Sequence, residues 1–221
     1  MRTELPSGTP AELTMPDSTT TRGVVLIPDI MGLRPLFDDM AARLAAENGW
    51  AVCAVEPFPG QEDLDLSSRM NAVANLEDDR VLGDVSAAAD LLVERTGVAR
   101  VAVMGFCMGG MYTFKSAGLG RFDRAAPFYG MIRLPENWRG PGHAEPLDQL
   151  RKPGASQVLA IIGENDPYTP PADVEELRTL PNVEVVVYPG AEHGFVHDAS
   201  RPAHRAEDAA DAWRRLTLFF K

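Results

Sequence analysis

Cysteine is scarce in this 221-residue chain, with only Cys53 and Cys107 present. Two thiols are too few for the disulfide framework of a small secreted domain, so a reducing, cytoplasmic setting is expected. Long apolar runs are missing as well. No segment approaches the roughly 18 uninterrupted apolar residues of a membrane-spanning helix, and the opening Met1-Arg2-Thr3-Glu4-Leu5-Pro6 has no apolar leader character. Basic side chains are outnumbered 21 to 32 by acidic ones, for a net charge of −11. Such a chain repels nucleic acid and anionic membranes. The partner expected instead is a small molecule, and the expected assembly is a monomer or weak homodimer. No fixed-period repeat is present, which excludes a solenoid.

What is there suits one sizeable core: 221 residues with 45% apolar content support a single domain over residues 1–221. Residues 1–22, rich in Pro, Ser, Thr and Gly, read as an arm or one short edge strand around Ala11 to Met15. Val24 to Ile27, Ala51 to Val55, Val101 to Phe106, Arg124 to Tyr129, Val158 to Gly163 and Val183 to Tyr188 read as strands, most of them as continuous apolar runs buried on both faces. Helical spacing marks Pro35 to Asn48, Val81 to Thr96, Pro171 to Leu180 and about Ala203 to Phe219. Gln61 to Asp79 is acidic and weakly periodic, and reads as a lid or a short irregular helix. Gly130 to Pro153 reads as a long connection. Strands alternating with helices specify an α/β fold, a mostly parallel sheet with helices on both faces.

In such sheets the loops leaving the carboxyl ends of the strands build the site. Asp29, Cys107, Asp166 and His193 all sit there. Cys107 lies in Gly105-Phe106-Cys107-Met108-Gly109-Gly110, between an apolar strand and a helix. A nucleophile at such a strand-to-helix turn needs small flanking residues, because backbone segments must approach closely. A lone cysteine after an apolar strand is otherwise a buried small hydrophobe. The flanking glycines, a downstream acid and a histidine point the other way. A thiol nucleophile needs a base, and the base needs an orienting group. His193 and Asp166 supply them, with Glu164 the rival acid, and the chain order of nucleophile, acid and histidine is that of the α/β-hydrolase fold.

Three segments, Gly105 to Gly110, Gly163-Glu164-Asn165-Asp166 and Gly190-Ala191-Glu192-His193-Gly194-Phe195, resemble the catalytic segments of the dienelactone hydrolase family. Pro28-Asp29-Ile30-Met31-Gly32 resembles a fourth, and the similarity runs from about Gly23 to the C-terminus. The resemblance implies a single-domain α/β-hydrolase fold and an esterase that opens an unsaturated lactone through a thioester-linked acyl-enzyme, with neither metal nor organic cofactor. It implies Cys107 as nucleophile, His193 as proton carrier, Asp166 as its orienting acid, and the backbone N–H groups of Ile30 and Met108 as the oxyanion hole.

Two departures bear on substrate. Family members that act on dienelactone carry glutamate at the place of Asp29, where it holds the resting cysteine until a substrate carboxylate displaces it. The shorter Asp29 is expected either to gate Cys107 or to cap the loop and helix near Pro35. The family binds the substrate carboxylate with arginines, one of them four residues after the histidine, where this chain has His197. Arg69 is the candidate replacement, and Tyr129 resembles a pocket-lining position. A broad carboxylesterase or thioesterase acting on a non-dicarboxylic substrate is therefore the alternative. Of the other readings, a thiol redox role for Cys107 leaves the glycines, acid and histidine unexplained, and a zinc pair from His193 and His197 is interrupted by Gly194.

Overall fold

The computed structural model describes residues 1–221. In chain order the elements are β1 (Arg2–Glu4), β2 (Pro10–Thr14), β3 (Arg22–Ile27), α1 (Pro35–Asn48), β4 (Trp50–Val55), α2 (Leu66–Ala72), α3 (Asp78–Thr96), β5 (Val101–Phe106), α4 (Met108–Ala117), β6 (Arg124–Phe128), α5 (Pro146–Leu150), β7 (Gln157–Gly163), α6 (Pro171–Arg178), β8 (Val183–Tyr188) and α7 (Ala206–Phe220). The eight strands form one sheet in the order β1-β2-β4-β3-β5-β6-β7-β8. Strands β3 to β8 are parallel, and β2 joins β4 antiparallel. The sheet and helices expected from the alternation are present in one domain.

Side-chain alternation along the strands splits the core into two layers. Val25, Ile27, Cys53, Val101 and Val103 face α3 and α4 on one side. Val24, Leu26, Val52, Ala102 and Met104 face α1 and α7 on the other. Helix α1 ends at Gly49, whose φ of 68° is a left-handed C-cap. No helix is long and apolar enough to cross a membrane.

The N-terminal segment departs from the arm or single edge strand expected. It forms two strands, with Thr3 opposite Ala11 and Leu13 opposite Cys53, so that β1 and β2 cover the β4 edge. The segment 61–79 contains α2, a 3-10 turn at Val73–Asn75 and the start of α3. The connection 130–153 holds a second 3-10 turn at Glu136–Trp138 and the short α5. Strand order reverses around β3, with β4 on one side and β5 on the other. The loops after β3 and β5 therefore diverge and leave the crevice in which α/β sheets bind their ligands.

Candidate active site

Cys107 stands at the tip of the turn from β5 to α4, with φ 56° and ψ −119°, a conformation rare outside glycine. Such a backbone costs on the order of 1–3 kcal/mol and persists only where the surroundings fix it. Here Cys107 N–H donates to the Phe128 carbonyl at 3.1 Å and its own carbonyl accepts from Met111 at 3.0 Å. Gly109 lets the turn press against the end of β3, because a Cβ there would lie 2.2 Å from the carbonyl oxygens of both Ile27 and Pro28.

Asp166 is buried in the turn after β7. One of its oxygens accepts from Tyr168 N–H at 2.9 Å and the other meets His193 Nδ1 at 2.8 Å. Nε2 of His193 is buried and has no hydrogen-bond partner. Burial works against the imidazolium, but the bond to Asp166 and the pull of the neighbouring Cys107 outweigh it and lift the His193 pKa to about 10. Tyr129 and Tyr168 flank the imidazole edge-on, at centroid distances of 5.2 and 4.9 Å. Glu164, the rival acid, is exposed and instead accepts from Gly190 N–H at 2.8 Å. It braces the histidine loop from outside.

Ile30 follows β3, and its N–H makes no hydrogen bond within the protein. Met108 is the first residue of α4, where backbone donors have no intrahelical acceptor. Asp29 is buried in the same loop as Ile30. Its Oδ1 accepts from Met31 N–H at 3.0 Å and from Arg34 at 2.6 Å, and its Oδ2 meets Arg34 at 2.8 Å and His197 Nε2 at 2.9 Å. Burial alone would raise its pKa; the bonds to His197 and Arg34 prevail and hold the carboxyl well below the usual range. Asp29 thus caps its own loop through Met31 N–H but not α1, which follows Arg34 and has no side-chain cap.

Arg69 is placed differently from its expected role of meeting substrate. It is 1% exposed, and its guanidinium donates to the carbonyls of Ile30, Leu64 and Glu62 and pairs with buried Glu56 at 3.5 Å. Those partners saturate it behind the pocket wall. His197 is likewise buried, bonded to Tyr129 and Asp29. With His193 Nδ1 on Asp166, three of the four ring nitrogens of this histidine pair are committed to protein partners. Cys53 is sealed within β4, where burial pushes its thiol up to about 12.

A cavity of about 500 Å³ opens between Cys107 and His193. Met70, Met131 and Trp138 form part of an apolar wall, while Asp29, Arg34, Asp198 and Arg201 line the polar side. Trp138 Nε1 is buried without a partner. Arg34 is neutralised by Asp29, whereas the Arg201 side chain has no ion pair or hydrogen bond. Its guanidinium packs where a side chain at Gly194 would be: a Cβ there would meet Arg201 Nη1 at 2.6 Å, and the φ of +82° also favours glycine. Arg34, Arg201, Trp138 and Tyr168 are among the pocket residues that sequence reasoning missed.

An eight-stranded sheet of this order, with a residue at a strained strand-to-helix turn and an acid–histidine pair on later loops, defines an α/β-hydrolase. The chain belongs to the dienelactone hydrolase family, whose model matches residues 10–221. It is a carboxylic ester hydrolase. A Synechocystis sp. protein named "Putative carboxymethylenebutenolidase" is 30% identical over 212 residues, which cover 90% of this chain and 85% of the relative. The crystal structure of a "Putative Dienelactone Hydrolase" from Klebsiella pneumoniae superposes with a TM-score of 0.88 at 26% identity, covering 100% of this chain and 97% of that one. The "Dienelactone Hydrolase-like Promiscuous Phospotriesterase P91" from metagenomic libraries shares the fold with a TM-score of 0.77 at 22% identity, covering 100% of this chain and 96% of that one.

Proposed function

We propose that the protein hydrolyses a carboxylic ester or lactone through a cysteine acyl-enzyme. The observation that carries this reading is the imidazole of His193, bonded to Asp166 on one side and presenting a buried, unpartnered Nε2 beside Cys107 on the other. The Cys107 thiolate attacks the carbonyl carbon, and the resulting oxyanion is met by the N–H groups of Ile30 and Met108. Losing one such donor typically costs on the order of a hundredfold or more in rate. The intermediate collapses to a thioester and an alkoxide, which takes its proton from His193. In a lactone that alkoxide remains tethered to the acyl group as the ring opens. His193 then takes a proton from water as the water attacks the thioester, the acid leaves, and the thiolate is restored.

The pocket also favours a substrate class. Its wall is mostly apolar, and with Arg34 paired to Asp29 the free cation on the polar side is Arg201. This supports an ester or lactone with an apolar body and at most one acidic group. The sealed position of Cys53 gives Cys107 no resolving thiol in β4, which supports hydrolysis over thiol redox chemistry.

The test is turnover of p-nitrophenyl acetate, followed by a panel of esters and lactones with and without a free carboxylate. One equivalent of iodoacetamide abolishes activity, and Cys107→Ala lowers kcat by at least about a thousandfold. Full turnover by Cys107→Ala would refute the nucleophile assignment.

A further inference from the structure

His197 lies two residues beyond Phe195 in the loop that carries His193, yet its ring is fully buried and packs face-on against Phe106, with centroids 5.0 Å apart at 24°. Both ring nitrogens are engaged. Nε2 meets Asp29 Oδ2 at 2.9 Å, and Nδ1 meets the Tyr129 hydroxyl at 2.5 Å. A carboxylate only accepts, so Nε2 must carry the proton. In a neutral ring Nδ1 then only accepts, and the Tyr129 hydroxyl must donate to it. One tautomer satisfies the whole chain.

The surroundings keep that ring uncharged. Asp29 and Arg34 face it from the loop after β3, Tyr129 from the end of β6, and Asp198 and Arg201 from its own loop, with Cys107 beyond Tyr129. Burial holds its pKa below the ordinary histidine value, overcoming the pull of Asp29, and Arg201 and Arg34 add to the effect. Protonation would make Nδ1 a donor and force the Tyr129 hydroxyl to turn.

The chain of bonds spans three loops that share no sequence neighbourhood. Asp29 precedes Ile30, Tyr129 sits at φ 39° with its ring against His193, and His197 follows His193 by four residues. We propose that His197 is a positioning residue for ester hydrolysis, a tautomer-locked link that fixes the Ile30 loop and the Tyr129 ring against His193 across Cys107. It touches no substrate and acts through Asp29 and Tyr129. The proposal rests on the reading of Cys107 and His193 given above.

Glutamine can reproduce the pattern, since its amide oxygen accepts from Tyr129 and its amide N–H donates to Asp29. Leucine can do neither. His197→Leu is expected to lower kcat for p-nitrophenyl acetate about thirtyfold or more, with KM changed less than about threefold. His197→Gln is expected to restore at least about tenfold of that loss. In the wild-type protein, 15N NMR at about pH 7.5 should show His197 as the neutral Nε2–H tautomer. An Nδ1–H tautomer, a charged ring, or a folded His197→Gln as slow as His197→Leu overturns the proposal, as does wild-type kcat in His197→Leu. If His197→Leu fails to fold, the tautomer and the absolute kcat of His197→Gln, expected within about tenfold of wild type, still decide. Failure of the underlying nucleophile reading is distinguishable, because iodoacetamide would then leave wild-type turnover intact.

Discussion

Gly109→Ala is the sharpest test of how the Cys107 turn is built. The added methyl carbon would lie 2.2 Å from two backbone carbonyl oxygens, those of Ile27 and Pro28, and 2.8 Å from the Ile27 carbonyl carbon. Backbone atoms cannot rotate aside as a long side chain can, so the end of β3 and the start of α4 must separate by about 1 Å, an overpacking of the kind that costs ~1–3 kcal/mol. The two proposed oxyanion donors, Ile30 and Met108, lie on opposite sides of that wedge. A displacement of about 1 Å in a reacting constellation costs on the order of a hundredfold in rate. Gly109→Ala should therefore lose about a hundredfold in kcat for an activated ester while iodoacetamide still modifies Cys107. The control is Gly83→Ala in α3, where a Cβ meets nothing within 4 Å, and which should gain up to about 1 kcal/mol in urea denaturation. Near-wild-type kcat and stability in Gly109→Ala would refute the close-approach argument.

The elevated pKa of His193, about 10 against an ordinary 6.5, makes stability depend on pH. A group whose pKa is raised on folding stabilises fully below its unfolded value and loses that contribution as pH rises through the folded one. Thermal unfolding should thus show the wild-type protein losing stability between about pH 6.5 and 10, with a shallower slope in Asp166→Asn; equal slopes would contradict the pairing. Arg69→Met strands Glu56 in the interior and removes the donor to three carbonyls, so urea denaturation should show a loss of about 3–5 kcal/mol. KM for a neutral ester should move by less than about threefold in that variant, and the opposite split would return Arg69 to substrate binding.

The legible parts of the sequence are those whose signal is local. Val24 to Ile27 and Val101 to Phe106 announce central strands because burial on both faces leaves no room for polar alternation. Cys107 has glycine two residues away on either side, Asp166 precedes proline and His193 precedes glycine, and all three follow apolar strands, a pattern that points to one crevice. Strand β1 was invisible because Arg2–Glu4 contains no apolar residue and joins the sheet by backbone pairing with β2. Arg69 reads as solvated because it is a charge in an acidic stretch, and nothing local shows Glu56 and the Ile30 carbonyl waiting in the interior. The His197 bonds reach across 68 and 168 residues of chain, and Arg201 reaches the pocket only by the path of its loop. Distances of that kind leave no mark on spacing.

Part of the apolar wall of the pocket comes from Met70 in α2 and Trp138 in its 3-10 turn, whereas Cys107, Asp166 and His193 hang from loops at the ends of sheet strands. In the mechanism proposed above, these two wall residues and the residues that would cut the ester are thus mounted separately. Redrawing the shape of the chamber through residues 70 and 138 would leave the proposed cutting edge on its own foundation, so a library confined to those positions is expected to explore new esters without disturbing the chemistry.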